Sequence, residues 1–405
     1  MLWVIFRPHL TEEYTLPVRV LIMQPTVPKY RVPVFKELAA RSGLDVTICH
    51  GRQSSIPETV PDGYKTLFKQ YRTSGTLLGG FEWHSPPIGL ISKRNFDVAI
   101  LQWNVRILSL PLTILRCRLA GIPIVLWGHG YSKHEASIKA TMRQLMGLLG
   151  DAVLVYNRST ADALVRAGVP RAQTFVALNA VDPTPIRQEI DQWKARPDEL
   201  AAFASKLWLP GGPNLLCVSR LLDANRIDRM ITAVAGLKGR FAGIKAVLVG
   251  TGPAEAALRA LATKLKVADR VHFAGAIYEE ADLAPYFLTA HQFVYPENIG
   301  LSLNHGMAYG LPIITSDRID SQNPEIEALR HGHNGLLYAH GSDAAMQAAI
   351  ARLGEDSTLR STLSTGAYNT IHGRLTIQRM VDGMEASVRY ALAIRREDPS
   401  MFATA

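Results

Sequence analysis

Cysteine is scarce in this 405-residue chain: Cys49, Cys117 and Cys217 are three, widely spaced and odd in number. That excludes a disulfide framework and a thiolate metal site, and a reducing compartment is the expected setting. The sequence has no Asp-x-Asp pair and no His/Cys cluster with ligand spacing, so no catalytic metal is expected. Long apolar runs are missing too. The nearest candidate, residues 105–125, is interrupted by Arg106, Arg116 and Arg118, and nothing approaches the roughly 18 apolar residues of a membrane span. The apolar start MLWVIF is too brief for a signal h-region, and TEEY follows it. A zinc knuckle, an RNA-recognition sequence and a Lys/Arg-rich run are all lacking, which argues against nucleic acid. There is no repeat of solenoid period.

What is present is an ordinary globular composition, 47% hydrophobic and 20% charged, in a chain long enough for two domains. The charge is lopsided. Residues 1–182 hold 21 Lys+Arg against 12 Asp+Glu, whereas residues 183–405 hold 23 of each, so the first half carries the whole net charge of +9. A basic half beside a neutral one points to an anionic partner. An anionic membrane surface fits best, because Leu108 to Leu115 places apolar residues among the arginines. The alternative is a buried helix whose arginines snorkel.

Both halves alternate short apolar runs with helical patterns, the rhythm of parallel βα units. Strands are predicted at Val18 to Met23, Val46 to Cys49, Asp97 to Leu101, Ile122 to Trp127 and Ala152 to Tyr156, with a helix from Val32 to Arg41. Residues 51–95, rich in Gly, Pro and Ser with aromatics interleaved, read as a long functional loop or lid. The polar, Pro-punctuated stretch 183–212 reads as an interdomain connection. The rhythm restarts with strands at Asn214 to Val218, Ala246 to Val249 and Val271 to Phe273. Ile227, Met230, Ile231 and Val234 lie on one helical face. The expected domains are 1–190, 191–378 and a C-terminal helix, 379–405, crossing back to the first. In open α/β sheets ligands bind at the carboxyl ends of the strands, which singles out the loops at 24–31, 128–134, 219–226, 250–253, 274–277 and 296–301.

The richest of these lies within residues 292–315, QFVYPENIGLSLNHGMAYGLPIIT. A buried strand leads to the acid Glu297, to a turn at Gly300-Leu301 and to a short helix carrying His305. Glycine lets a ligand approach the backbone closely, and the first helix amides favour anions. Carboxylate, amides and imidazole together suit a phosphorylated or hydroxyl-rich ligand.

In combination, Ser219-Arg220-Leu221, Val249-Gly250-Thr251-Gly252-Pro253, Val271-His272-Phe273-Ala274-Gly275 and Pro296-Glu297 through Gly310-Leu311-Pro312 resemble glycosyltransferase family 4. These are retaining sugar transferases of the GT-B fold. Trp127-Gly128-His129-Gly130 and Asn179-Ala180-Val181-Asp182 in the first half are similar to the family as well. The resemblance implies an α/β protein of two Rossmann-like, doubly wound domains facing a central cleft. It implies that Arg220 holds the donor diphosphate, a task suited to a permanent bidentate cation. Asn225 stands where the family usually has lysine, and Arg226 beside it is expected to supply the second cation. Glu297 matches the first acid of the Glu-x7-Glu motif. His305 replaces the second, so this is a branch with a histidine where a carboxylate normally grips ribose hydroxyls. His129 matches the histidine that faces the transferred sugar. Gly300 and Leu301 match the helix start that meets the donor, Ala276 and Ile277 the turn on the nucleotide base, and Gly252 belongs to the donor side. Tyr30, Arg31 and Lys133 are placed on the acceptor side.

The expected activity is transfer of a sugar from a nucleotide-diphosphate donor to a saccharide or lipid-linked saccharide in surface polysaccharide synthesis. His129, Glu297 and Arg220 would be catalytic, with no metal or other cofactor and no nucleic-acid partner. The protein is expected to be cytoplasmic and peripheral on the inner face of the cell membrane. The alternatives are a degenerate GT-B protein that only binds sugar nucleotide, motivated by Asn225 and His305, and a GT-B nucleotide-sugar epimerase.

Overall fold

The structure, a computed structural model, describes residues 16–51, 62–68, 81–130, 137–207, 213–237, 239–241 and 243–397. The chain divides into two compact units. The first takes its described residues from 16–155, 160–177 and 381–397, and the second comprises 156–159 and 178–380.

The first unit is built on seven parallel strands: Val18–Gln24 (β1), Leu44–His50 (β2), Lys65–Phe68 (β3), Val98–Gln102 (β4), Ile124–Gly128 (β5), Ala152–Val155 (β6) and Thr174–Val176 (β7). Their order is β3-β2-β1-β4-β5-β6-β7, and Val20 pairs with Val46 on one side and Val98 on the other. Both faces of the sheet are covered, so Leu21, Ile22, Ile100 and Leu101 are all buried. This is why these strands read as continuous apolar runs and not as alternating ones. Helices Val32–Ala39 (α1), Leu110–Leu119 (α2), Ser137–Gly147 (α3) and Arg158–Arg166 (α4) connect the strands. Two short strands were not legible. β3 is an edge strand inside the stretch read as a lid, and β7 has only three residues. Of that stretch, residues 52–61 and 69–80 lie outside the described residues.

The second unit holds six parallel strands: Leu215–Val218 (β8), Ala246–Val249 (β9), Val271–Gly275 (β10), Gln292–Val294 (β11), Ile313–Ser316 (β12) and Gly335–Tyr338 (β13). Their order is β10-β9-β8-β11-β12-β13. Eight helices accompany them: Pro183–Lys194 (α5), Pro197–Leu207 (α6), Ile227–Gly236 (α7), Glu255–Lys264 (α8), Glu280–Thr289 (α9), Leu301–Ala308 (α10), Asp343–Glu355 (α11) and Ser357–Asn369 (α12). α7 buries the predicted stripe Ile227, Met230, Ile231 and Val234. The architecture is the α/β, doubly wound pair of Rossmann-like sheets expected from the alternating pattern.

Of the connection expected at 183–212, residues 183–207 hold the helices α5 and α6, and 208–212 lie outside the described residues. Its prolines open helices: Pro183 and Pro185 sit in the first turn of α5 behind the N-cap Asp182, whose carboxylate accepts from Thr184 N at 2.9 Å. Proline suits that turn because its missing N–H has no intrahelical partner to lose. The change of unit comes earlier, at Ala177/Leu178, in place of residue 190. The last helix, Ile377–Glu397 (α13), leaves the second unit and from Val381 onward belongs to the first. There Gly383 packs against the Val176 carbonyl, where any Cβ would lie 2.1 Å from the oxygen, and Arg395 binds the buried Asp151 at 2.9 Å.

Candidate donor site in the second unit

The sheet order of the second unit reverses between β8 and β11, which pair directly through Leu215 and Gln292. Such a switch point opens a crevice at the carboxyl ends of the strands. Arg220 leaves β8 there, and Glu297 leaves β11 beside it.

The two loops are tied together by Asn225. Its side chain is buried at 3% exposure, and its Nδ2 donates to Ser219 Oγ (2.8 Å) and to the Arg220 carbonyl (2.7 Å). Its Oδ1 accepts from Asn298 Nδ2 at 2.7 Å, and its own carbonyl accepts from Glu297 N at 3.3 Å. Asn298 is left-handed, with φ 61°, and is held further by Asn323, which donates to its carbonyl at 2.8 Å. Asn225 was expected to contact the donor. It is instead a buried strap between the Arg220 and Glu297 loops.

Arg226, the next residue, is exposed and also left-handed, with φ 51°. Its guanidinium is raised further into its charged form, first by the Asp228 hydrogen bond and then by the charges of Asp228 and Glu297. A cation thus stands near the carboxylate, one position along from where the family pattern puts lysine. Glu297 is nearly buried, with its side chain 10% exposed. Its Oε1 lies 3.0 Å from His340 Nδ1, a close approach without hydrogen-bond alignment. His340 was not anticipated. It follows β13, whose short apolar run Gly335–Tyr338 was not read as a strand.

Gly300 caps α10 with φ −124° and ψ −133° and supplies no side-chain cap for the first amides at Leu301 and beyond. His305, one turn in, is not an isolated imidazole. Its Nε2 lies 2.9 Å from Glu280 Oε1, and the same oxygen accepts from Tyr309 OH at 2.5 Å. Burial, with the Glu280 charge and hydrogen bond behind it, pushes the Tyr309 hydroxyl far up, so it stays a donor. A carboxylate thus lies against the His305 imidazole, supplied by the first residue of α9. Sequence spacing could not reveal this, because positions 280 and 305 meet only through the packing of α9 on α10.

The glycine-rich turn after β9 has a structural explanation. A Cβ at Gly250 (φ 132°) would sit 1.9 Å from the Ser219 carbonyl oxygen, and one at Gly252 would sit 2.3 Å from that of Leu221. The close approach at Gly252 is made by the chain's own backbone. Ala276 and Ile277 follow β10, two strands from β8 in the sheet order, next to the exposed Tyr278.

In the first unit, His129 follows β5 and is exposed between glycines. A Cβ at Gly128 would meet the Trp103 carbonyl at 2.5 Å. Tyr30 is 40% exposed. Arg31, expected on the acceptor side, is buried at 6% exposure with its guanidinium 4.5 Å from the Trp127 ring centroid. It braces the end of β5 and presents no open acceptor contact, because that cation–π stack holds it inward. Lys133 lies outside the described residues. Among the described residues no His/Cys/Asp/Glu group could hold a metal ion, and no helix is long and apolar enough to cross a membrane.

The chain is similar in sequence and in fold to known proteins. The chain is 27% identical over 258 residues to a GDP-mannose-dependent alpha-(1-6)-phosphatidylinositol monomannoside mannosyltransferase of Mycobacterium tuberculosis, covering 60% of this chain and 64% of that protein. It is 28% identical over 187 residues to the lipopolysaccharide core biosynthesis glycosyltransferase LpsE of Rhizobium meliloti, covering 45% of this chain and 52% of LpsE. The chain thus spans less than two thirds of the length of either relative. Anabaena HepE, solved with UDP and glucose, shares the fold at a TM-score of 0.66 with 16% identity, over 92% of this chain and 99% of that one. Sucrose-phosphate synthase from Thermosynechococcus elongatus does so at 0.67 with 18% identity, over 93% and 100%. The two-sheet fold is thus that of GT-B glycosyltransferases. Residues 198–370, all within the second unit, match the family described as Glycosyl transferases group 1.

Proposed function

We propose that this chain is a retaining, family 4-type glycosyltransferase that moves a sugar from a nucleotide-diphosphate donor to a saccharide or lipid-linked saccharide acceptor. The observation that carries the reading is the Asn225 strap. One buried side chain places the Arg220 carbonyl, Asn298 and the Glu297 amide within hydrogen-bond reach of itself, so a cation and a carboxylate are presented from adjoining strand ends. Both departures from the family pattern are compensated within the unit, by Arg226 and by Glu280. That favours an active transferase over a degenerate sugar-nucleotide binder.

In the reaction, the acceptor oxygen bonds to the anomeric carbon on the face from which the diphosphate leaves. The bond from that carbon to the phosphate oxygen breaks, and the acceptor proton passes to the departing phosphate. Negative charge grows on the diphosphate. Arg220, Arg226 and the amides at the start of α10 would match it, and preorganised donors of this kind usually supply the largest share of catalysis. No divalent metal is called for. Glu297 would orient the donor sugar, and His129 is assigned to the transferred sugar from the first unit. The mycobacterial relative's name suggests GDP-mannose as the first donor to try, and UDP-glucose follows from the ligands of HepE.

The test is calorimetric titration of UDP, GDP, ADP and TDP into the wild type and into Arg220→Ala. One nucleoside diphosphate should bind and the variant should lose it. Equal binding by both would remove Arg220 from the site.

A further inference from the structure

The first unit turns two leucine-lined helices toward solvent. Along α2 and the residue pair before it, Leu108, Leu112, Leu115 and Leu119 recur at intervals of four, three and four, and they are 39–74% exposed. The opposite face of the same helix is already used: Leu110, Thr113, Ile114 and Cys117 are buried on the sheet. Apolar residues on two sides of a helix call for cover on both, and among the described residues this side is left exposed.

α3 repeats the arrangement. Gly147 docks against Trp103, where a Cβ would lie 2.8 Å from the indole ring, while Leu145, Leu148 and Leu149 point outward and are each close to half exposed or more. β4, β5 and β6 are consecutive parallel neighbours. Right-handed crossovers therefore bring α2 and α3 side by side on one face of the sheet. Their carboxyl ends touch: Arg118 Nη2 donates to the Leu149 carbonyl at 2.6 Å. Trp83 lies at the other end, 41% exposed, between Glu82, whose carbonyl accepts from Leu108 N, and His84, whose N–H donates to Ser109 Oγ. Exposed leucines of both helices thus share one side of the sheet, with a tryptophan at its edge. Scattered exposed leucines are ordinary, but leucines gathered on one side mark a contact surface.

The charges around the patch identify the contact. Arg106, Lys93 and Arg94 are exposed. Arg106 is two residues from Leu108, and the Lys93 side chain lies beside Gly121 at the end of α2, with its Cε 2.9 Å from the position a Cβ would take. The acids of the described residues 81–151 are all engaged. Glu82 is with His84 at 3.1 Å, Asp97 with Arg19 at 2.8 Å, and the buried Asp151 with Arg118 and Arg395. Among the described residues the rim is thus positive and its negative groups are neutralised.

We infer that the α2/α3 face docks on an anionic lipid bilayer, with the leucines entering the headgroup boundary, Trp83 at the interface and the cations on lipid phosphates. Apolar insertion combined with a basic rim is the combination that holds peripheral proteins on anionic leaflets. Trp favours that depth because its ring is amphipathic. The inference stands on the first unit alone and does not depend on the transferase reading.

The full chain is tested by flotation with phosphatidylglycerol-rich vesicles and with pure phosphatidylcholine vesicles, at low and high salt. Wild type should float with the anionic vesicles and less so at high salt. Leu115→Glu combined with Leu119→Glu should weaken binding by at least about tenfold, whereas Ile319→Glu in the second unit should not. Unchanged thermal unfolding and nucleotide binding in the double variant would confirm that its fold and its donor site are intact. Failure of the wild type to float, or equal flotation by the double variant, would overturn the inference. So would light scattering that shows a dimer lost in the double variant, because the face would then belong to a second copy of the chain.

Discussion

Replacing Asn225 by lysine restores the residue that the family pattern expects at that position, and we predict that it damages the protein. The asparagine makes three side-chain hydrogen bonds of 2.7–2.8 Å from a site only 3% exposed. Alanine would lose all three, at about 1 kcal/mol each. The Arg220 carbonyl keeps Leu222 N and Ser219 Oγ as donors, so it is not orphaned, and a loss of roughly 2–4 kcal/mol is expected for Asn225→Ala. Lysine can donate but cannot accept from Asn298. It also brings an ammonium into a buried site next to Arg226, where burial and a like charge both disfavour its charged form. Asn225→Lys should therefore be at least as destabilising as alanine. With the Arg220 and Glu297 loops released, only a fraction of molecules holds the binding geometry, and affinity falls by that fraction. A weakening of nucleoside diphosphate binding on the order of tenfold is expected. Urea unfolding, amide exchange at residues 219–226 and calorimetry measure these three effects. An Asn225→Lys protein that is as stable as wild type and binds nucleotide more tightly would refute the reasoning, since the lysine would then be reaching the diphosphate and the strap would be unimportant.

The same logic predicts that His305→Glu places a second carboxylate within hydrogen-bond distance of Glu280. Like charges about 4 Å apart at an effective dielectric near 20 repel by roughly 4 kcal/mol, so the variant should be destabilised at neutral pH, and adding Glu280→Gln should restore most of the loss in a denaturation series. Acid should weaken the fold through its histidines. His84, His272, His291 and His372 are each held below the ordinary 6.5, with burial as the first cause. The unfolded chain takes up those protons first, so stability is complete above about pH 6.5 and is lost as the pH falls through the lowered values. His291→Gln should flatten that slope in thermal scans, because His291 Nδ1 accepts from Asn214 N at 3.1 Å only while neutral. Because arginines and amides match the diphosphate charge in the proposed mechanism, a chelator should leave turnover within about a factor of two of untreated enzyme, and a large loss restored by a divalent cation would contradict it.

Much of this was legible along the chain because it is local. Apolar runs bounded by Gly and Pro marked the buried parallel strands, and the stripe from Ile227 to Val234 marked α7, since burial on both faces or on one helical face writes its own period into the residues. Arg220 and Glu297 could be nominated because strand ends in a doubly wound sheet are where ligands bind, and the family resemblance supplied their expected roles. Reading prolines 183 and 185 as a linker failed because the same residue serves a loop and a first helical turn, and only the Asp182 cap distinguishes them. Tertiary structure alone decided the roles of the departures. Asn225 is a strap because β8 and β11 are neighbours, Glu280 meets His305 because α9 packs on α10, and Arg31 turns inward because Trp127 lies beneath it. Leu108 to Leu115 read equally as a membrane surface or a buried helix until the sheet showed which face was already filled. Each of these depends on a contact between residues far apart in sequence, and that information is created only when the chain closes on itself.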